Sequence, residues 1–311
     1  MNGNEIKIIY DVDVVTSLNL GNDTACIGTF DGMHLGHQEL LNKTYIFGDK
    51  KYTVVTFIDL PQKTLNDTHY QFLTTNSMKE TLINNYRASS IVYFNFLNIR
   101  NDDPKTFCTT LYEKYGIKKI VVGNDFRFGK DRSGDISFLI EYFGEKNVLI
   151  VSKKKVIGME VSSSLIREYL SNGEIKTVNM LLGRPYCIEG EVIKGDGLGQ
   201  KIGFPTANLK IDKNYRIPKK GVYSVKIQIG NLSEIYFGMM NIGVRPTVSN
   251  EETIVTEVNI FDFNDNIYDS NLIVDVISFI REEVKFNNLK ELKHQLYIDK
   301  ETSIKKLNSV H

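Results

Sequence analysis

Apolar residues follow one period in the first part of the chain and another in the second, and the change falls near residue 185. In the first part, short β-branched runs alternate with longer amphipathic stretches: TACIGTF, HLGHQELLNKTYIF, KYTVVTFI, SMKETLINNY, SSIVYFNF, DPKTFCTTLYEKYG and KKIVVGNDF. A strand covered by helices on both sides has no polar face to alternate, so such runs predict parallel strands in an open, doubly wound sheet. The segment VSSSLIREYLSNGEIKTVNMLLGRP then predicts two short helices, with Ser162 to Ser164 capping the first and Asn172-Gly173 ending it. Gly183, Arg184 and Pro185 mark a boundary.

Beyond Pro185 the period becomes two. The segments YCIEGEVIKG, GVYSVKIQIG, EIYFGMMNIG, TIVTEVNIFDF and NLIVDVISFI are separated by glycines, asparagines and an FNDN turn, which predicts an antiparallel β-barrel. Leu289, Leu292 and Leu296 recur at helical spacing in the tail and predict a closing helix. The expected class is α/β plus β, with residues 1–183 forming one domain and 184–311 the other. The 311 residues are enough for two cores.

Charge narrows the partners. Thirty-eight basic residues balance thirty-eight acidic ones, so no overall field draws in nucleic acid or an anionic membrane, and phosphate chemistry has to rest on local donors. No apolar run approaches the roughly eighteen residues of a membrane span, and the start lacks the pattern of a signal peptide; a cytoplasmic protein is expected. Cys26, Cys108 and Cys187 are widely spaced with no CxxC, which argues for buried free thiols over disulfides or zinc.

The first candidate site is GTFDGMHLGHQELL, where Gly28, Phe30, Asp31, Gly32, His34, Gly36 and His37 stand at a strand-to-helix turn. In open sheets ligands bind beyond the carboxyl ends of strands, and a helix starting there offers free N–H groups and positive dipole to an anion. Histidines at i and i+3 would share a face, with Gly36 leaving room for a phosphate beside the backbone. A metal pair or surface and capping roles are the alternatives, although no third ligand stands nearby.

GTFDGMHLGHQ resembles the HxGH signature of nucleotidyltransferases. With VVGNDFRFGKDRSGD (121–135) and SSSLIR (162–167), it resembles the amino-terminal half of prokaryotic bifunctional riboflavin kinase/FAD synthetases. The resemblance implies a Rossmann-like sheet. It also implies that His34 and His37 stabilise the ATP phosphates while FMN attacks the α-phosphorus, with Arg167, Ser162 and Ser163 as further donors. Asp125 and Phe126 match positions near flavin and nucleotide, though Phe126 and Phe128 read equally well as core and Arg167 as a solvated helix arginine. One departure stands out: FIDLP, Phe57 to Pro61, replaces the family's F-x-P-H-P stretch, with Asp59 and Leu60 where proline and histidine are usual.

The second candidate site is GEVIKGDGLGQKIGFPTANL, with five glycines in fourteen positions. Such density suits a backbone wrapped around phosphates, or barrel bends, and no Walker A follows. The stretch resembles the riboflavin kinase domain. That likeness implies that Gly195, Gly197, Gly199, Lys201, Gly203 and Pro205 bind ATP and that Thr206 and Asn208 hold Mg²⁺. The family often has arginines where this loop has Leu198 and Gln200. Glu257, on the strand VTEVNIFDF, matches the catalytic base, and Arg281 either approaches the flavin or pairs with Glu282 or Glu283. IGVRPTV (242–248) also resembles a family segment.

The resemblance implies a bifunctional enzyme that makes FMN from riboflavin and FAD from FMN, with ATP as co-substrate at both sites and small molecules as its partners. A riboflavin kinase with a weakened adenylyltransferase half and a non-catalytic flavin or adenylate binder are the rival expectations.

Overall fold

Strands β1 (Lys7–Tyr10), β2 (Thr24–Ile27), β3 (Thr53–Phe57), β4 (Ser90–Phe94), β5 (Lys119–Gly123) and β6 (Val148–Val151) form a parallel sheet in the order β1-β4-β3-β2-β5-β6. The computed structural model describes residues 6–11, 18, 20–59, 70–195, 199, 202–230, 232–246 and 252–309. Neighbouring residues of a strand enter opposite cores: Ala25, Ile27, Ile120 and Val122 pack with Phe107 and Leu111, whereas Cys26, Val54 and Val121 pack with Leu41 and Ile83. Burial on both faces is why these strands read as unbroken apolar runs. The edge strands β1 and β6 escaped the sequence pattern, being four residues long and half exposed. All three cysteines are buried and free.

Four helices of this unit matter to the site or its core: α1 (Leu35–Phe47), α2 (Asn76–Asn84), α3 (Pro104–Thr109) and α4 (Ile136–Phe143). From β2 the chain steps outward to β3 and β4, then crosses back to β5 on the other side of β2. Connections therefore leave β2 and β5 in opposite directions and open a crevice beyond their carboxyl ends. The loops after these two strands carry residues 28–34 and 124–126, so the topology aims both motifs at the switch point. A small antiparallel pair, β7 (Lys155–Val156) and β8 (Met159–Glu160), follows.

The chain divides into compact units Met1–Ser163 and Ser164–His311, earlier than the expected boundary at Gly183–Pro185. The reason is that α5 (Ser163–Asn172) and α6 (Ile175–Leu182) pack with the barrel. The Asn179 side-chain amide donates to the Val276 carbonyl, its oxygen accepts from the Tyr186 N–H, and the Lys219 N–H donates to the Leu170 carbonyl. As the sequence pattern predicts, α5 ends at Asn172, with Gly173 in the left-handed region at φ 78°.

The barrel closes in the order β10-β13-β12-β11-β14-β9 and is antiparallel throughout. Its strands are β9 (Tyr186–Ile193), β10 (Ala207–Lys210), β11 (Gly221–Ile229), β12 (Ile235–Pro246), β13 (Glu252–Ile260) and β14 (Asn271–Arg281). Strand β10 was hidden in the sequence because its four residues begin inside the PTAN motif, at Ala207. Helix α7 (Leu289–Asn308) covers one side, packing Leu296, Ile304 and Leu307 against Phe204, Val222 and Met239.

A buried ion pair fastens that helix. The Arg281 guanidinium donates to Asp299 from Nε (2.9 Å) and Nη2 (2.7 Å), and the Gln295 amide donates to the same carboxylate. Asp299 is 1% exposed, so removing it strands a cation under the helix. Asp299→Ala is expected to lower the stability of the second unit by about 3–5 kcal/mol in urea unfolding; a loss below about 1 kcal/mol, the worth of an exposed pair, would show the fork to be incidental.

Candidate functional site

In the first unit the turn after β2 is held in an uncommon backbone conformation. Phe30, Gly32 and Met33 have φ of 51°, 83° and 43°. For Phe and Met the left-handed region is strained, and such strain persists only where surrounding contacts over-determine it. Those contacts are present. The Asp31 carboxylate accepts the N–H groups of Leu73 (2.8 Å) and Thr74 (3.3 Å), and Gly32 N–H donates to the Thr74 hydroxyl (3.0 Å). Ser163 Oγ donates to the Asp31 carbonyl at 2.8 Å, which brings the SSSLIR motif onto the loop. Phe30 and Asp31, expected as nucleotide contacts, are 0% and 1% exposed and act from beneath as packing and clamp. Gly32 is required twice over, by its φ and because a Cβ would lie 2.8 Å from Leu73 Cδ1.

The histidine pair differs from two side chains sharing one helical face. His34 is the N-cap of α1, and its Nδ1 accepts the His37 N–H at 3.3 Å. The capping role left open by the sequence is therefore real. In the neutral form this bond assigns the His34 proton to Nε2, leaving that nitrogen as a donor. The rings stack, with centroids 3.7 Å apart and planes inclined by 14°. Room over Gly36 is taken by the His34 ring, from which a Cβ would stand 3.1 Å. His37 Nδ1 is buried and has no hydrogen-bond partner among the described residues. Burial first, then the charges of His34 and Lys79, hold the His37 imidazole well below its ordinary pKa.

After β5, Asn124 N–H donates to the Val151 carbonyl and Phe126 N–H to the Gly123 carbonyl, making a tight turn. The Asp125 carboxylate faces Lys153 Nζ at 3.1 Å, and Lys153 also reaches Glu160 at 3.8 Å. Phe128 is core, and half-buried Phe126 stacks on it at 5.5 Å. Gly28 donates to the Val55 carbonyl. Half-buried Ser162 precedes α5. Arg167 lies on α5 in the second unit, where the Ser171 hydroxyl donates to its carbonyl. Phe57 ends β3 and Asp59 is exposed, while Leu60 and Pro61 lie outside the described residues.

The second unit holds two adjoining cavities, of about 360 and 590 Å³. Gly199, Thr206 and Asn208 line both and so form the wall between them. The smaller is apolar at its base, with Phe204, Val222, Met239 and Leu296, and carries Asn241, Glu257 and Asn259 on its strands. Register explains the grouping: Glu257 on β13 pairs with Asn208 on β10 and with Asn241 on β12, so three polar side chains form a row. Asn259, two residues along the same face, donates to the Pro205 carbonyl at 2.7 Å and fixes the PTAN turn.

The larger cavity is walled by Gly195, Gly203, Pro205 and the segment Phe263 to Tyr268, which the sequence reading passed over as a turn. Only the strand order reveals that this hairpin end faces the glycine loop. A Cβ at Gly195 would overlap the Asn208 amide, so a larger residue there would displace it. Gly197, Leu198, Gln200, Lys201, Thr247 and Val248 lie outside the described residues. Arg281 lines the smaller cavity but is forked onto Asp299. Its expected carboxylate partners are engaged elsewhere, Glu282 with Lys219 at 2.7 Å and Glu283 over Gly243. No group of three or more His, Cys, Asp or Glu that could hold a metal exists among the described residues. Thr206 and Asn208 offer a hydroxyl and an amide oxygen, hard donors that fit Mg²⁺ arriving with its own phosphate ligands.

Comparison with known proteins agrees with this division. A profile described as FAD synthetase matches residues 18–165, and one described as riboflavin kinase matches residues 182–307. The bifunctional riboflavin kinase/FMN adenylyltransferase of Buchnera aphidicola subsp. Schizaphis graminum is 34% identical, over 98% of this chain and 100% of its own. That of Bacillus subtilis is 35% identical, over 90% of each chain. A solved structure from Streptococcus pneumoniae, described as a macrolide-efflux protein, is 30% identical, covers 93% of this chain and 99% of its own, and has a TM-score of 0.82. Among the described residues no helix is long and apolar enough to cross a membrane.

Two expectations follow for the first unit. Gly32→Ala, strained at φ 83° and crowded by Leu73, is expected to lower stability by about 1–3 kcal/mol; an unchanged melting temperature would contradict the clamp. His37 resists protonation in the fold but accepts a proton at about 6.5 when unfolded, so its contribution is fully present above pH 6.5 and is lost on acidification. Below that pH, stability should fall by up to about 1.4 kcal/mol per pH unit, a slope that His37→Gln should flatten.

Proposed function

The chain belongs to the bifunctional riboflavin kinase/FMN adenylyltransferase family, and from that premise we propose how its residues divide the two reactions. The second unit phosphorylates riboflavin and the first adenylates the FMN so formed, with ATP as co-substrate in both. The observation that carries the reading is the shared wall: Thr206 and Asn208 separate an apolar cavity holding Glu257 from a larger one bordered by the glycine loop. A flavin ring fits the first and a nucleotide the second.

In the kinase unit the attacking group is an alcohol, so a base is needed. Glu257 accepts the proton of the riboflavin 5′-hydroxyl as its oxygen bonds to the γ-phosphorus and ADP departs. Asn208 and Asn241, flanking Glu257 across the strands, orient the hydroxyl. Thr206 and Asn208 would hold Mg²⁺, which when bound neutralises phosphate charge. Gly195, Gly199 and Gly203, which line the larger cavity, border the phosphates, and Gly197 and Lys201 are assigned to them by family position alone. Arg281 serves the flavin cavity by seating α7, whose Leu292 and Leu296 form part of its lining.

In the adenylyltransferase unit the attacking FMN phosphate is already ionised, so the reaction needs donors and not a base. His34 donates from Nε2, since its Nδ1 is committed to the helix cap. His37 meets the nucleotide uncharged beside it. Free N–H groups at the start of α1 add positive potential where pyrophosphate leaves. Ser162, Asp125 and Phe126 are assigned to the site by family position, as Arg167 is to the family's phosphate donor, and Asp31, Phe30, Gly28, Gly32, Gly36 and Ser163 shape the turn. A cytoplasmic setting, where ATP is available, belongs to the same proposal. A kinase with a weakened first unit is favoured by one observation, the exposed Asp59 in the departing FIDLP stretch.

Incubation with riboflavin, ATP and Mg²⁺ is expected to yield FMN and then FAD; FMN alone would establish the weakened form, and neither product would remove the assignment. Glu257→Gln should slow FMN formation by about 10²–10⁴ while supplied FMN is still converted to FAD. His37→Ala should reverse the pattern, with FAD synthesis reduced by about 10²-fold and the kinase intact. Equal loss of both reactions in either variant would refute two separate sites.

A further inference from the structure

Lys79 on α2 is 2% exposed. Its Nζ lies 3.5 Å from the carbonyl of Phe57, the last residue of β3, and 5.7 Å from the ring centroid of Tyr93 on β4. The side chain thus folds back from the helix over the carboxyl ends of two strands, on the edge of the sheet where the 28–34 loop leaves β2. The charges that act on it are those of Asp31 and Glu80, which attract it, and it in turn disfavours a positive charge on His37. The entry to α2 also supplies the Leu73 and Thr74 amides that hold Asp31. One helix therefore delivers both the clamp and a buried cation to the histidine loop.

Packing alone does not account for this residue. An ammonium taken out of water costs the fold several kcal/mol unless well paired, whereas Met or Leu at the same place would cost nothing. Burial pushes Lys79 down to about 8 in spite of Asp31 and Glu80. A lysine kept at such expense against an active-site side chain points to function.

We propose that Lys79 is a positioning residue for adenylyl transfer, its ammonium, buried at the carboxyl end of β3 beside the histidine loop, acting on Asp31 and His37 and fixing the imidazole that meets the nucleotide. The proposal rests on the reading of the first unit as the adenylyltransferase. The cation attracts the buried Asp31 carboxylate that clamps the strained loop. It also opposes a second positive charge on His37, whose ring stacks on His34 and lies against the ring of Phe30 at 5.3 Å. His37 then presents an N–H and a lone pair in place of a diffuse cation, and the low dielectric around the pair carries the lysine charge toward the phosphates.

The test compares the full chain with Lys79→Met and Lys79→Arg. FAD formation from supplied FMN is followed from acid to alkaline pH, the imidazole carbon-bound proton of His37 is titrated by NMR, and FMN formation by the same samples reports on folding. In Lys79→Met the His37 titration and the acid limb of FAD synthesis are expected to move upward together. The rate near pH 6.5 should fall at least about tenfold, with KM for ATP less affected, and Lys79→Arg should restore both. A rate within about twofold of the parent, or an unmoved His37 titration, would overturn the proposal. The unmodified chain supplies a second measurement: its His37 signal should shift again as Lys79 loses its proton near pH 8, and a flat response there also overturns it. If the parent makes no FAD from FMN, the adenylyltransferase reading fails, and the His37 response still decides the link to Lys79.

Discussion

The burial of the Asp31 carboxylate governs the first unit. A carboxylate shut away from water must have its oxygens satisfied, and here amides from the start of α2 do so. That bond ties the turn after β2 to a helix that follows β3. Phe30 and Met33 are held in a backbone region that bulky side chains avoid, and α1 begins where His34 can cap it. Without the clamp nothing in the local sequence would keep a phenylalanine and a methionine in the left-handed region. The histidines are consequently set by a long-range constraint, although they read as a local motif.

The two units solve opposite chemical problems with different scaffolds. A parallel sheet with a switch point brings helix starts and loop ends together, which suits a reaction that needs donors around phosphate. A closed barrel lays side chains from neighbouring strands in rows, which suits a reaction that needs one base placed against one hydroxyl. Glu257 between Asn208 and Asn241 is such a row, and the glycine at 195 leaves space for the amide beside it. Closure also removes exposed edges, and α7, held by Arg281 and Asp299, covers the side where the apolar cavity lies.

Costs are concentrated at the sites. The left-handed turn and the buried lysine sit beside the histidine pair of the first unit. His37 adds a ring nitrogen buried without a partner among the described residues. Each departs from what a stable core would choose.

The alternation of apolar runs, the change of period near residue 185 and the HxGH and PTAN motifs were all legible in the chain. Each depends on residues close together in sequence, whose periodicity follows from helix and strand geometry. Short edge strands such as Lys7–Tyr10 and Val148–Val151 were not legible, because half-exposed strands carry too little apolar signal. Nor was the side on which α5 and α6 pack, since Asn179 finds its partners on β9 and β14. The same holds for Lys79, which looks like any solvated helix lysine until the ends of β3 and β4 are laid over it, and for Arg281, whose carboxylate proves to be Asp299. Sequence thus determined which motifs and elements exist. Only the tertiary structure decided which charges are buried and with whom, because burial depends on neighbours far along the chain.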